Sequence, residues 1–158
     1  MRYLPLLPLA IQALLPLRAH AIDQYADDLA GMYGEIQQVQ ATEEICSRQF
    51  PSTALPNRQA VAGWRHEYSS FVGDIEARWN RWLVAKANGD PRQQEALLVW
   101  SRQLYESSTN DLSQRLAVGG LELFYKRCEN YPTYLKSRRM NPELTHASIV
   151  QRIRRNSQ

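Results

Sequence analysis

The only two cysteines of the 158-residue chain, Cys46 and Cys128, lie in similar local sequences, CSRQFP and CENYP. Neither belongs to a CxxC motif of the kind that thiol-disulfide oxidoreductases use. A structural zinc ion usually takes about four ligands, and after residue 21 only His66 and His146 could join the cysteines. A nucleophilic cysteine needs a base nearby, and neither histidine is close to a cysteine in sequence. The pattern therefore predicts a structural disulfide between Cys46 and Cys128, formed in an oxidising compartment.

The first 21 residues have the layout of a secretory signal peptide. Arg2 supplies a positive charge, residues 4–17 (LPLLPLAIQALLPL) are almost wholly apolar, and the small residues Ala19 and Ala21 precede polar sequence. We expect cleavage after Ala21, which leaves residues 22–158 as one domain with a basic C-terminal segment. A membrane anchor is the disfavoured alternative, because the apolar run is shorter than the roughly 20 residues that a spanning helix needs. The sequence predicts a secreted protein, periplasmic if bacterial, with no transmembrane segment after cleavage.

The charge of the predicted mature chain is small but uneven. After residues 1–21 are removed, seventeen basic residues face sixteen acidic ones, a net charge of +1. This balance lacks the basic surplus of nucleic-acid-binding domains, so no nucleic-acid partner is predicted. Residues 22–125 carry a net charge of −5 and residues 126–158 a net charge of +6. Such a basic segment is usually a solvated face, and it could also contact an acidic protein surface or anionic lipid.

The sequence ARWNRWL, residues 77–83, places two tryptophans one helical turn apart, each beside an arginine. The simplest interpretation is a pair of core tryptophans edged by arginines, with Asp74 and Arg78 forming an i,i+4 ion pair. The functional alternative is a hot spot for a protein partner, because tryptophan and arginine are enriched at such spots. The candidate partner-binding residues, including two from the basic segment, are Arg78, Trp79, Arg81, Trp82, Arg138 and Arg139.

Other candidates for chemistry have less support. His66 lies near Glu67 and Ser70, but on a helix it falls on the outer face, with no nucleophile elbow or oxyanion-hole loop in the sequence. Met32 and His146 are residue types that can ligate haem in a helical bundle, although no CxxCH motif is present and a methionine on an apolar seam is usually core. The motifs of nucleotide-binding loops, zinc proteases and EF-hands are also absent from the sequence. We therefore expect no catalytic residue, no metal and no cofactor.

Two long helices are predicted from apolar residues spaced three and four positions apart. The first extends through Cys46, and the second begins at Asn57 as its cap, after a connector at residues 50–57 whose two prolines forbid a regular helix. The second helix ends at Gly89, and Asp90 caps the third, so the second and third helices should be antiparallel neighbours. The two apolar seams comprise Ile22, Tyr25, Leu29, Met32, Ile36 and Val39, and then Val61, Trp64, Tyr68, Phe71, Ile75, Trp79 and Trp82.

A third helical stretch is predicted over residues 91–129. At 1.5 Å per residue it would overhang the second helix by several turns, so we expect a break at residues 107–111 rather than at Gly119 and Gly120. The sequence NYP should end this stretch, and a short final helix should follow Asn141 as its cap. With no strand pattern, the sequence predicts an all-α, up-down antiparallel bundle of about four helices with one disulfide.

The functional prediction is a non-catalytic protein-binding module, such as an inhibitor, an immunity-type protein or an accessory protein. A carrier of a small ligand or haem within the bundle is the first alternative, and a helical hydrolase that depends on His66 is the second. The sequence does not identify the protein partner. Pairing of the apolar seams between two copies of the chain would give a homodimer.

Overall fold

The computed structural model describes residues 15–156, with side chains from residue 24 onward. The predicted signal peptide lies mostly outside the described residues, which include only the backbone of residues 15–21. Every regular secondary-structure element of the described chain is a helix, and none is a strand. Its eight α-helices are α1 (Leu15–Gln49), α2 (Ala54–Glu67), α3 (Ser69–Ala87), α4 (Pro91–Ala117), α5 (Leu121–Glu129), α6 (Tyr131–Leu135), α7 (Pro142–Thr145) and α8 (Ala147–Arg155), with 3-10 turns at Pro51–Thr53 and Arg138–Met140.

The long helix α1 is the centre of the structure and contacts α2, α3, α4, α5 and α8. Its predicted apolar seam is confirmed from residue 25 onward, with Leu29, Met32, Ile36 and Val39 buried in the main core. The side chain of Ile22, the first seam residue, lies outside the described residues. Because apolar side chains from several helices pack against this seam, its burial stabilises the contacts between α1 and its neighbours.

The second predicted helix consists of two helices, α2 and α3, separated at Tyr68. Tyr68 has φ −102° and ψ 25°, but its N–H still bonds the Trp64 carbonyl at 3.0 Å, so the interruption is confined to one residue. The predicted start was wrong, because α2 begins at Ala54. Pro56 fits in its first turn, where a backbone N–H has no helical partner in any case. Asn57 is therefore not a cap but a fully buried residue of α2.

The third predicted helix breaks at Gly119 and Gly120, and the expected break at residues 107–111 was wrong. These glycines have φ +89° and +91°, a conformation that only glycine adopts without strain. The polar residues 107–111 continue α4 without interruption. The predicted cap of α4 is confirmed, since the Asp90 carboxylate accepts a 2.8 Å bond from the Arg92 N–H. The preceding turn uses both Asn88 and Gly89 in the left-handed region.

The C-terminal part contains more helices than expected. Tyr131 begins α6 instead of ending the helical chain, and the final predicted helix is divided into α7 and α8 at His146. Asn141 caps α7 as predicted, accepting a 3.1 Å bond from the Leu144 N–H. This part folds back onto the start of the chain, because Arg152 of α8 forms two hydrogen bonds, 2.7 and 2.8 Å long, with the buried carboxylate of Asp28.

The predicted disulfide between Cys46 and Cys128 is present, with the two Cα atoms 5.3 Å apart. Both cysteines are fully buried in a small cluster with Ile45 and Phe124. Phe50 packs on this cluster edge-on to Phe124, with ring centroids 5.1 Å apart. In a chain-entropy estimate, a crosslink across 82 residues stabilises the fold by about 4.5 kcal/mol.

The all-α class is therefore established for the described residues, while the prediction of about four helices is replaced by eight. None of the helices in residues 15–156 is both long and apolar enough to cross a membrane.

Candidate functional site

An open groove of about 540 Å³ lies where α1, α4, α5 and α6 meet, next to the disulfide cluster. Its floor is apolar and is formed by Val39, Leu112, Leu116, Leu123 and Met140. Leu112 and Leu116 also pack against the disulfide cluster from the α4 side. The cluster around the disulfide therefore packs directly against two residues of the groove floor.

The two glycines between α4 and α5 position the most exposed part of the floor. Leu123 retains 45% of its surface exposure although it faces a concave site. Its Cδ1 atom lies 2.5 Å from the position that a Cβ on Gly119 would occupy. A side chain at residue 119 would therefore displace Leu123, so glycine is needed here for space as well as for backbone conformation.

Arg127 and Lys126 form the α5 wall of the groove, and both have partners within the chain. Arg127 donates hydrogen bonds to the carbonyls of Leu116 and Val118, the latter 2.6 Å long. These carbonyls lie at the end of α4, where helical partners are lacking, so Arg127 acts as a side-chain cap of α4. Lys126 pairs with Glu122 one turn earlier, at 2.7 Å.

Two tyrosines of α6 line the next wall and differ in environment. Tyr131 is buried, and its hydroxyl donates a 2.9 Å bond to the Val39 carbonyl. Burial raises the pKa of Tyr131 well above its usual value, so the phenol stays protonated and remains a donor. Tyr134 is about half exposed at the rim, and the centroid of its ring lies 6.4 Å from that of Tyr131. The pair offers an aromatic surface to an occupant of the groove.

Three cations follow Tyr134 in the sequence, next to the residues that line the groove. Lys136, Arg138 and Arg139 are exposed, and none of them forms an ion pair with another described residue. They lie in sequence between Tyr134 and Met140, which both line the groove. Arg139 also lines a small neighbouring cavity together with Glu35 and Met140, two residues of the groove itself. Arg139 is therefore adjacent to the groove, and Lys136 and Arg138 each lie two residues in sequence from a lining residue, Tyr134 and Met140 respectively.

The predicted tryptophan and arginine cluster on α3 is partly built into the core. Trp79 is 2% exposed and is stacked between Tyr33 and Trp82, with ring centroids 4.8 and 5.1 Å away. Arg78 donates to the Asp74 carboxylate at 2.8 Å, as predicted, and to the Ile153 carbonyl at the end of α8 at 3.3 Å. Both residues therefore hold α3 against its neighbours.

The outer members of that cluster remain accessible. Arg81 is exposed, and Trp82 is partly buried beneath Lys86, whose ammonium lies 5.7 Å from the ring centroid. Trp100 of α4, which the sequence interpretation did not single out as a site residue, is 42% exposed and lies 6.5 Å from Trp82 between ring centroids. The sequence signal for this contact is the helical spacing of Leu97, Trp100 and Leu104, which places these three apolar residues on one side of α4.

The residues considered for catalysis and haem binding are not brought together. His66 is exposed on α2. Met32 is buried in the main core, whereas His146 lines a cavity of about 30 Å³ that Met32 does not reach. Among the described residues, no group of three or more histidine, cysteine or acidic side chains is arranged to hold a metal ion.

Sequence reasoning missed the groove as a unit. Its floor combines residues from α1, α4 and α5, and each of them alone has the pattern of ordinary helix packing. The available signal was the continuation of the leucine pattern from Leu112 and Leu116 across the two glycines to Leu123. Comparison with models of protein families, with curated proteins and with solved structures found no match.

Proposed function

We propose that the protein is a non-catalytic protein-binding module that holds a segment of its partner in the groove between α1, α4, α5 and α6. The observation that carries the proposal is the open apolar floor, on which Leu123 remains 45% exposed. A large apolar side chain left exposed in a concave site gains free energy when a partner covers it. Such a gain in free energy on covering the floor is what a protein-binding module requires.

The form of the groove supports a helical or looped segment as the occupant. Helix-in-groove recognition uses an apolar floor that accepts side chains spaced along one helix face. The polar groups of the walls, including the Tyr134 hydroxyl and the Gln38 amide, lie around that floor. Such an arrangement provides affinity from the floor and orientation from the rim.

We further propose that residues 1–21 are removed as a signal peptide and that the protein acts outside the cytoplasm. The buried disulfide between Cys46 and Cys128 supports this location, because such crosslinks persist in oxidising compartments. Cleavage after Ala21 would remove about two turns of α1 and leave the core residues from Leu29 onward in place.

We also propose that the eight helices run in four antiparallel passes, formed by α1, by α2 with α3, by α4, and by α5 to α8. Contacts to α1 support this order. Tyr33 stacks on Trp79 of the second pass, and Glu44 accepts a 3.0 Å bond from Tyr105 of the third. The fourth pass joins α1 at the disulfide and returns to Asp28 through Arg152.

The proposal is tested by capture of the tagged, naturally processed protein with its partners from an extracellular or envelope extract of the source organism, followed by mass spectrometry. The key variant is Leu123→Glu, which places a charge on the groove floor. Leu98→Glu is its matched control: Leu98 is 48% exposed on α4, about 27 Å along that helix from Leu116. Circular dichroism establishes that both variants remain folded.

We expect one stoichiometric partner with the wild type and with Leu98→Glu, and none with Leu123→Glu. A partner that stays bound to Leu123→Glu would place the binding surface elsewhere and overturn the assignment to the groove. The absence of any stoichiometric partner would overturn the binding function itself.

A small-ligand carrier is the second candidate, and the groove volume favours it. About 540 Å³ lies within the range of roughly 300–1,000 Å³ that small-molecule sites occupy. Native mass spectrometry of the purified protein would then show a bound mass that Leu123→Glu loses. Detection of the bare polypeptide mass alone would exclude a resident ligand.

A further inference from the structure

The charge around the groove is strongly one-sided. Residues 126–140 contain five basic residues and one acidic residue, a net charge of +4. Among the described residues that line the groove, Glu35 is the only carboxylate. An apolar floor beside a positive edge is complementary to a ligand that is apolar on one side and negative on the other.

The cations of this edge fall into two groups. Lys126 and Arg127 are held by Glu122 and by the carbonyls at the end of α4, so their charges are partly used within the chain. Lys136, Arg138 and Arg139 have no acidic partner among the described residues. Lys136 is the residue that follows α6, and Arg138 and Arg139 lie on the next 3-10 turn. These three side chains are available for a partner's carboxylates.

The occupant must also satisfy its own backbone groups when it enters the groove. The described chain contains no strand and therefore no sheet edge with which an extended segment could pair. An α-helix satisfies its N–H and C=O groups internally and presents only side chains. The groove therefore suits a helix better than an extended peptide.

The floor is partly recessed, which distinguishes a helix from a lipid surface. Val39 of the floor and Tyr131 of the adjacent wall are almost completely buried, and the exposed Leu123 lines the same concave site. A flat membrane surface can reach the exposed rim cations but not the recessed floor. A ridge of side chains on a helix can contact both.

We propose that the groove binds an acidic amphipathic helix of the partner protein, with its apolar face on Leu116, Leu123 and Val39. Its acidic face lies along Lys136, Arg138 and Arg139. This inference rests on the proposed protein-binding function and adds the chemical class of the partner. The charge pairs are at the rim, so they accelerate association and select the partner, while the apolar floor supplies most of the affinity.

The direct test measures binding of labelled synthetic helical peptides to the full chain by fluorescence anisotropy. The probe has leucine at positions i, i+3, i+4 and i+7 of successive turns and glutamate at the outward positions. One control peptide has the same composition in scrambled order, which removes the apolar face. A second control replaces each glutamate by lysine, and phosphatidylglycerol vesicles test for anionic lipid.

The protein variants separate the floor from the rim. One double variant, Arg138→Glu with Arg139→Glu, reverses two rim charges. A second double variant, Arg138→Gln with Arg139→Gln, neutralises the same charges without reversing them. We expect the acidic amphipathic peptide to bind the wild type, with a dissociation constant that rises with salt. The charge reversal should weaken binding by about tenfold or more and flatten the salt dependence. Leu123→Glu should abolish binding, and Leu98→Glu should not change it.

Equal binding of the scrambled peptide would reduce the site to non-specific charge attraction and overturn the proposal. Preference for the lysine peptide, or binding only to vesicles, would also overturn it. In the capture experiment, a partner lost from Leu123→Glu but retained by both rim variants would refute the acidic helix while leaving the protein-binding function intact. Failure of the proposed function itself is recognised by the absence of a partner from the wild type.

Discussion

The ion pair between Asp28 and Arg152 is the main polar contact between the first and last helices. The hydrogen bonds from Arg152 hold the pKa of the buried Asp28 below its usual 3.8, against the opposing effect of burial. A carboxyl group with a lowered pKa stabilises the fold while it is ionised. Its contribution is complete above pH 3.8 and is lost as the pH falls through the lower folded-state pKa.

We therefore predict that Asp28→Asn lowers the melting temperature at neutral pH, and that the difference from the wild type vanishes at the acid end. The control is Asp27→Asn, which changes the neighbouring, exposed carboxylate. Melting curves recorded from pH 7 to pH 2 test this. A difference that is independent of pH would show that Asp28 acts through packing rather than through its charge.

Asn57 is the other buried polar residue with consequences for stability. Its side chain is 0% exposed, and neither its amide nitrogen nor its oxygen has a hydrogen-bond partner within the described chain. A buried polar group without a partner costs roughly 1–3 kcal/mol relative to one that is satisfied.

The prediction is that Asn57→Leu, which keeps the branching of the side chain and removes its polar atoms, raises the free energy of unfolding by about 1 kcal/mol or more. Chemical denaturation measures the change. Asn57→Ala serves as the control, because it removes the polar atoms but leaves a cavity. If both variants destabilise the protein, the amide has a partner, such as a buried water, that holds it in place.

At the scale of the elements, helical periodicity was sufficient to predict where the chain is helical but not where the helices end. The seam from Leu29 to Val39 identifies its helix because burial on one face repeats with the period of the helix. The break at Tyr68 has no such signal, since only one residue leaves the helical conformation and the apolar spacing continues across it. The polar residues 107–111 resemble a loop, yet they continue α4, and all of them except Thr109 are exposed to solvent, where polar side chains cost little. The chain reversal instead needs positive φ at Gly119 and Gly120.

The reversal between α4 and α5 leads to a prediction about Gly119. Gly119→Ala should strain the backbone at φ +89° and force Leu123 away from its position. The control is Gly89→Ala, because Gly89 has φ +77° and no atom near its added Cβ. Both variants should lose about 1 kcal/mol or more from backbone strain, and Gly119→Ala should lose about 1 kcal/mol more from the contact with Leu123.

Denaturation midpoints of the two variants measure this difference, and the peptide assay reports on the groove. We expect Gly119→Ala to weaken binding of the acidic amphipathic peptide, since Leu123 forms part of the floor, and Gly89→Ala to leave binding unchanged. Equal losses of stability in the two variants would mean that Leu123 moves aside without cost.

For the whole molecule, the disulfide could be predicted because the argument for it uses only the sequence: a predicted oxidising compartment, two cysteines, and no motif for other cysteine chemistry. The groove could not be predicted, because residues far apart in sequence form it. Its concave shape depends on how the chain reverses between α4 and α5, next to the disulfide cluster. The same limit explains the α3 cluster: periodicity placed Trp79 toward the core, but the approach of Trp100 depends on the position of α4.

The packing of α4 leads to the last prediction. α4 is 27 residues long, and none of its residues is buried, whereas α1 has buried residues along its described length. Helices with few buried contacts open locally at a lower free energy than the helices at the core. We therefore expect the amides of residues 91–110 to exchange with solvent at least about tenfold faster than those in the centre of α1.

Hydrogen exchange followed by mass spectrometry, at two protein concentrations, tests this expectation. Residues 111–117 provide an internal comparison, because Leu112 and Leu116 pack on the disulfide cluster and should slow exchange there. Protection of residues 91–110 equal to that of α1 at both concentrations would contradict the prediction. Protection that appears only at the higher concentration would show that a second copy covers the exposed Leu98, Trp100 and Leu104, so that α4 would be the contact surface of a homodimer.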